Sequence, residues 1–345
     1  MNEFFMQRSI ELAKNGLGNV APNPMVGCVI VHEDKIIGEG YHQKYGQAHA
    51  EVNAINSIKD KTLLEKSTLF VNLEPCSHFG KTPPCSDLII KNKIPRVVIS
   101  CIDTFSEVSG KGIKKLSEAG LEVTVGVLEK ESRELNRRFF TYHEKKRPFV
   151  ILKWAQSIDG FIGDDLRHGD SSLKISSDLS HSLGHKWRTE EQAILIGTNT
   201  ALRDNPQLNV RYWKGKNPIR LVIDKDLKIP QTLNLFDNTV ATIIFNNSKT
   251  ELIEKTEYLK LDFTQSIIPQ ILQVLYEKEI QSLIVEGGAH VLNSFIQENL
   301  WDEARVFYSP MLLSKGVKAP GITGVLEHEE MISNDRLLIF KNSNL

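Results

Sequence analysis

The chain has 345 residues, 41% of them hydrophobic and 25% charged, with 42 Lys and Arg against 43 Asp and Glu for a formal net charge of −1. That length suits two domains, and the composition is that of an ordinary folded chain. The balance of charge argues against a protein that wraps a nucleic-acid backbone, and no apolar run is long enough for a signal peptide or a membrane span, so a cytoplasmic setting is expected.

Residues 3–15 repeat apolar positions at helical period and stop at Gly16, which predicts a first helix. MVGCVIV and KIIGEGY follow as strands joined across His32-Glu33-Asp34 in a hairpin-like connection. HAEVNAINSI reads as a helix, STLFVNL as a buried strand, CSDLIIKN as a short helix and RVVIS as a strand. GIKKLSEAG is a helix closing on Gly120, and LEVTVGV is a further strand. One helix is expected through ESRELNRRFFTYHEKK, and its run of charge before Pro148 is the best candidate for a linker. The pattern then restarts with the strand FVILKWAQS, the helix SSDLSHSLGHKWRTEEQ and the strands AILIG and IRLVID. TVATIIF and SLIVEGG are further strands, and IIPQILQVLYEK is a helix. Alternation of this kind predicts mixed α/β layers on both sides of the break, in domains spanning 1–146 and 147–345.

The cysteines are Cys28, Cys76, Cys85 and Cys101. Cys28 and Cys101 lie in apolar strand-like runs and read as buried thiols. Cys76 and Cys85 lie instead in the polar, proline-rich stretch PCSHFGKTPPC, where a reducing compartment makes metal binding or catalysis the use to consider.

The stretch GQAHAEVNA places His49 two residues before Glu51. If His49, Cys76 and Cys85 bind one Zn²⁺, three protein ligands leave a fourth tetrahedral position for water, the catalytic arrangement. The metal lowers the pKa of that water from 15.7 to about 7. Glu51 is then placed to take the water's proton and pass it to a leaving amine. The order H-x-E … P-C is the signature of zinc-dependent nucleobase deaminases. Their second cysteine usually follows after two residues; here eight intervene, which puts a loop over the site. Cys85 opens a predicted helix, whose dipole is expected to favour the Cys85 thiolate. A structural zinc completed by His78 would leave Glu51 without a task.

In the second half, SLIVEGGAHVL runs strand, Gly-Gly, helix. Gly287 and Gly288 allow close backbone approach, and the helix N-terminus offers free N–H groups to an anion, which suits a dinucleotide pyrophosphate; an ordinary tight turn fits as well. AILIGTNTALRDNP is a second strand–loop–helix of the same type.

APNPMVGCVIV, AHAEVNA and EPCSHFGKTPPC, in this order, closely resemble the deaminase half of the bifunctional riboflavin-biosynthesis deaminase–reductases. LKWAQSIDG, GTNTALRDNPQLNVR and VEGGAHVLNSF resemble the reductase half, which belongs to the dihydrofolate-reductase-like family. The resemblance implies a cytidine-deaminase-like three-layer αβα domain followed by a dihydrofolate-reductase-like α/β domain. It implies hydrolysis of the 2-amino group of 2,5-diamino-6-ribosylamino-4(3H)-pyrimidinone 5′-phosphate, then NADPH reduction of the ribosyl group to a ribityl chain. His49, Cys76 and Cys85 fall at the zinc ligands, Glu51 at the proton shuttle, and Asn23 and Lys81 at substrate contacts. In the reductase half, Gln156, Ser157, Lys174, Thr200, Asp204, Lys225, Gly288, Ala289, His290, Val291, Leu292, Asn293 and Ser294 fall on the cofactor side. Ser172, Arg188, Leu208, Arg211 and Glu286 fall on the substrate side, with Lys153 and Asp159 as supports. Arg188 and Arg211 suit a phosphate, although a surface ion pair explains either arginine taken alone. Lys174 departs from the aromatic residue of relatives, which puts ring stacking there in doubt. Lys225 departs from a small hydroxyl residue, and its charge is expected to help read the 2′-phosphate of NADPH.

The partners implied are small pyrimidine ribosyl phosphates, with no nucleic acid and no membrane, in a homo-oligomer. Two other readings stay open on the sequence. One is a tRNA-type nucleic-acid deaminase carrying an unrelated C-terminal domain. The other is a zinc-stabilised ligand-binding protein whose catalysis has lapsed.

Overall fold

The computed structural model describes residues 1–77, 83–104, 109–163 and 173–343. Two compact units, Met1–Lys146 and Arg147–Leu345, divide the chain.

In the first unit, α1 (Asn2–Lys14) precedes a hairpin of β1 (Gly27–His32) and β2 (Lys35–Tyr41). Then follow α2 (Ala50–Ser57), β3 (Thr68–Leu73), α3 (Cys85–Lys91), β4 (Arg96–Cys101), α4 (Lys111–Glu118), β5 (Glu122–Val125), α5 (Glu129–Leu135) and α6 (Arg137–Lys145). The sheet runs β2-β1-β3-β4-β5, with β1 antiparallel to both neighbours and β3, β4 and β5 parallel. Because side chains alternate along a strand, each strand serves two cores. Ile30, Leu69, Val71, Val97 and Ile99 pack with Ala54 and Ile55 of α2, Ile89 of α3 and Leu116 of α4. Val29, Val31, Phe70 and Val98 face Phe5, Met6 and Ile10 of α1, with Leu135 of α5 alongside. The unit is therefore helix, sheet and helix in three layers.

The single helix expected over ESRELNRRFFTYHEKK is two helices, broken at Asn136 (φ −97°, ψ 23°). The Asn136 side chain is buried and bonded to the Met25 backbone, a use that periodicity cannot register. The division between the two units falls in the charged run, which is mostly helical. α6 continues through Lys145, Lys146 alone turns the chain in the left-handed conformation (φ 55°), and Arg147 is already buried against Asp302 at 2.6 and 2.9 Å.

The second unit begins with β6 (Phe149–Ser157), β7 (Phe161–Gly163), α7 (Asp178–Glu190), β8 (Ala193–Gly197), α8 (Thr198–Asp204), β9 (Ile219–Ile223) and β10 (Thr242–Asn246). It continues with β11 (Glu251–Ile253), β12 (Thr256–Lys260), α9 (Ile267–Glu277), β13 (Ser282–Val285), α10 (Ala289–Gln297), β14 (Glu303–Ser309), β15 (Val317–Lys318), β16 (Gly324–Ile332) and β17 (Asp335–Asn342). Its large sheet runs β11-β12-β10-β9-β8-β13-β6-β14-β17-β16. The strands from β12 to β14 are parallel, and the edge pairings are antiparallel. Leu152, Leu195, Leu221 and Val285 pack with Leu272 of α9 and Leu292 of α10. Ile151, Ile194, Val222 and Ile284 pack on the other face with Trp187 of α7 and Ala201 of α8. The strands from β14 onward escaped the pattern reading; β16 in particular is exposed at almost every residue and carries no alternating burial.

Candidate active sites

His49 caps α2, Cys85 is the first residue of α3, and Cys76 lies just beyond β3. The fold thus brings two helix starts and one strand end together. Cys85 Sγ is 3.3 Å and Cys76 Sγ 3.6 Å from His49 Nδ1, and the three ligand atoms all lie within 4.8 Å of one another. Two soft sulfurs and one imidazole nitrogen, gathered this closely, are a donor set that fits Zn²⁺ with one position left over. Glu51, in the first turn of α2, is only 3% exposed. Burial raises its carboxyl pKa, the nearby Cys76 sulfur adds to the rise, and His49 opposes it.

The start of the helix that Cys85 opens is aimed at Cys76. The first N–H of α3, that of Cys85, donates to Cys76 Sγ at 3.2 Å, so the helix start stabilises charge on the neighbouring sulfur. Hydrogen bonding from Cys85 and His49 outweighs burial and brings the Cys76 thiol down to about 4. The Cys76 sulfur and burial push Cys85 the other way.

Asn23 lies near this centre through His42. Its Nδ2 is 3.1 Å from His42 Nε2, and the His42 ring packs edge-on against His49 with centroids 5.5 Å apart. Lys81 lies outside the described residues, as do His78 and Ser172.

In the second unit, the expected cofactor residues cluster beyond the carboxyl ends of four neighbouring parallel strands, where ligands of open α/β sheets bind. Lys225 lies just past β9, Thr200 past β8, Gly288 past β13, and Gln156 and Ser157 end β6. A Cβ on Gly287 would lie 2.6 Å from Ile196 Cα, and Gly288 has φ +64° with Thr200 Oγ1 3.1 Å from its would-be Cβ. Both glycines are therefore required by the fold as well as suited to a ligand. The Val291 and Leu292 side chains belong to the core, so any contact they make with a cofactor goes through the backbone. Gln156 accepts from Trp154 Nε1 at 2.8 Å, and Ser157 Oγ accepts from Phe161 N at 3.0 Å. Lys174 is exposed and paired with Asp178, and Asp204 ends α8. Asp159 accepts from the Ser314 and Leu313 N–H groups at 2.7 and 3.2 Å, which gives it a loop to hold.

On the substrate side, Arg188 is committed to Glu286 and to the Asn209 carbonyl, whereas exposed Arg211 bonds Gln207 and Asn209. Leu208 is buried with φ 49°. Sequence reasoning missed His185. Burial and the Arg188 charge bring it down to about 3, and its Nδ1 accepts the Arg211 N–H at 3.1 Å. Burial also lowers the Lys153 ammonium pKa, opposed by Glu286. No local pattern announces His185 or His42; His185 meets the Arg211 backbone in the loop after α8, and His42 lies between Asn23 and the Ala48 carbonyl.

The histidine, two cysteines and buried carboxylate, mounted on this three-layer sheet, define the first unit as a zinc-dependent deaminase. Comparison with known proteins agrees and extends to the second unit. The model of the cytidine and deoxycytidylate deaminase zinc-binding region matches residues 1–101, and that of the RibD C-terminal domain matches residues 148–334. Riboflavin biosynthesis protein RibD of Aquifex aeolicus is 42% identical over 335 residues, 95% of this chain and 92% of that protein. Its namesake in Bacillus amyloliquefaciens is 40% identical over 331 residues, 93% of this chain and 88% of that protein. The crystal structure of a diaminohydroxyphosphoribosylaminopyrimidine deaminase/5-amino-6-(5-phosphoribosylamino)uracil reductase from Thermotoga maritima, 39% identical, matches with a TM-score of 0.89 over 99% of this chain and 98% of that one. The chain belongs to the RibD family of riboflavin biosynthesis proteins.

Proposed function

We infer that the chain performs two consecutive steps of riboflavin biosynthesis. The first unit deaminates 2,5-diamino-6-ribosylamino-4(3H)-pyrimidinone 5′-phosphate to 5-amino-6-ribosylaminouracil 5′-phosphate, and the second reduces the ribosyl to the ribityl chain with NADPH. The observation that carries this reading is the His49–Cys76–Cys85 cluster with Glu51 buried beside it, on a chain of this family throughout its length. The match of the second unit to a reductase disfavours a nucleic-acid deaminase with an unrelated appendage.

His49, Cys76 and Cys85 would hold zinc, which supplies an activated water at neutral pH. Glu51 does the proton work. Its carboxyl, raised first by burial, takes up a proton and gives it to the departing amine. Asn23 and Lys81 contact the substrate in this reading. In the second unit, Gly288 to Ser294, Thr200, Asp204, Gln156, Ser157, Lys174 and Lys225 line the NADPH side. Arg211 is the freer cation for the substrate phosphate, with Ser172, Arg188, Leu208 and Glu286 on the same side and Lys153 beside them. The division of labour falls at 146/147, deaminase before and reductase after. The enzyme works in the cytoplasm as a homo-oligomer on small molecules; among the described residues, no helix is long and apolar enough to cross a membrane.

Two assays test the reading on the full chain: ammonia release from the diaminopyrimidine phosphate, and NADPH oxidation that depends on the deaminated product. Absence of either reaction in zinc-replete protein overturns that half of it.

A further inference from the structure

Asn23 lies in the segment between α1 and β1, where no strand or helix supports the backbone. Two buried asparagines hold that segment from outside. Met25 N–H donates to Asn136 Oδ1 at 2.7 Å, and Asn136 Nδ2 donates back to the Met25 carbonyl at 2.9 Å. Asn72 Nδ2 donates to the same carbonyl at 3.1 Å, and Asn72 Oδ1 accepts the Gly27 N–H at 2.8 Å. Asn136 is 1% exposed and Asn72 0%. One amide thus satisfies both backbone groups of Met25, as a neighbouring strand would. The Asn136 side chain and the Met25 backbone meet across 111 residues of sequence.

The bonds continue from Met25 to the metal centre. Val26 O accepts the His42 N–H at 2.8 Å, and His42 Nδ1 is 3.0 Å from the Ala48 carbonyl, next to His49. A carbonyl can only accept, so Nδ1 carries the proton and Nε2 is the acceptor. The Asn23 amide NH₂ must therefore be the group facing His42 at 3.1 Å. That orientation leaves Asn23 Oδ1 for another donor, and among the described residues none reaches it. A carbonyl oxygen fixed beside His42, whose ring packs on the expected ligand His49, suits an N–H group of an aminopyrimidine.

We propose that Asn136 is a positioning residue of the deaminase: by pinning the Met25 backbone, it holds the Asn23 amide at the metal centre in the orientation that receives the pyrimidine. This rests on the reading of Asn23 as a substrate contact.

The test is deaminase kinetics on zinc-loaded, full-length Asn136→Ala, Asn23→Ala and the double variant, with zinc content and the reductase rate as controls. Asn136→Ala should raise KM for the diaminopyrimidine phosphate about tenfold, change kcat less than about twofold, and leave zinc and the reductase unchanged. In the Asn23→Ala background the same change should raise KM less than about twofold, because the contact it serves is already gone. Fully additive KM effects overturn the proposal while sparing the role of Asn23. An unchanged KM in Asn23→Ala alone overturns both. Asn136→Asp, which keeps an acceptor for Met25 N–H, should recover part of the loss and carries the same test if the alanine variant does not fold. Identical KM in the aspartate and alanine variants also overturns it.

Discussion

Arg188 on α7 grips Glu286 at the end of β13 with two hydrogen bonds, 3.1 Å from Nε and 2.6 Å from Nη2. Burial opposes ionisation of this carboxyl, but the Arg188 and Lys153 charges prevail and hold it at about 2, below its ordinary 4.5. A depressed carboxyl contributes stability that is complete above the unfolded value and lost as pH falls through the folded one. The second unit should therefore lose stability between about pH 4.5 and about pH 2. Glu286→Gln leaves a buried guanidinium without its counter-charge, a change that costs about 3–5 kcal/mol. Thermal melts from pH 6 to pH 3 check this: the variant should melt lower at pH 6 and show a shallower acid decline. An equally steep decline would show that the pair is not its source.

Glu51→Gln preserves shape and removes the proton carrier. Deamination should fall by about 10²–10⁴-fold, with zinc content and NADPH oxidation on the deaminated intermediate nearly unchanged. Loss of the reductase rate in this variant would mean that the two sites do not act independently.

Cys85 holds its proton firmly because the Cys76 sulfur and burial disfavour a second thiolate, while His49 is also raised, first by its bond to Cys76. Zinc must displace both protons, whereas Cys76 has little to give at neutral pH because its thiol is brought down to about 4. Zinc uptake by metal-free protein should therefore release protons, and more of them at pH 6 than at pH 8, because the raised His49 is more fully charged at the lower pH. Titration calorimetry in buffers of different ionisation enthalpy measures this directly. Proton release that is absent, or that falls with decreasing pH, would contradict the assignment.

Lys225 stands exposed just past β9, 5.9 Å from the Phe263 ring, at the sheet end where the residues proposed for the cofactor lie. Lys225→Ala should lower the preference for NADPH over NADH by about tenfold through the loss of one charge-assisted contact. The ratio of kcat/KM values for the two cofactors reports it, and an unchanged ratio removes Lys225 from 2′-phosphate recognition.

The sequence reveals the parts whose signals are local. The apolar runs that became β1, β3, β4, β6 and β8 read correctly because both faces of each strand are buried. His49, Cys76 and Cys85 stand out in the sequence because one motif carries them in a fixed order, and the structure gathers the three within 4.8 Å, with Glu51 buried in the helix that His49 caps. Asn136 was invisible because its partner is a backbone group 111 residues away. That the first N–H of α3 is aimed at the Cys76 sulfur was invisible because it depends on how the end of β3 meets the helix, which no local pattern encodes. β16 was invisible because a solvent-washed edge strand rich in Glu has no apolar face to show.

The strand orders also set when each half can assemble during synthesis. The first sheet pairs only strands made before Arg147, so it can close while the rest of the chain is still on the ribosome. The second cannot: β6, its earliest strand, is flanked by β13 and β14, with Phe149 opposite Ser282 and Ile151 opposite Glu303. Its middle stays open until β13 and β14 have been made, and an apolar strand such as FVILKWAQS must be shielded from aggregation for that whole interval.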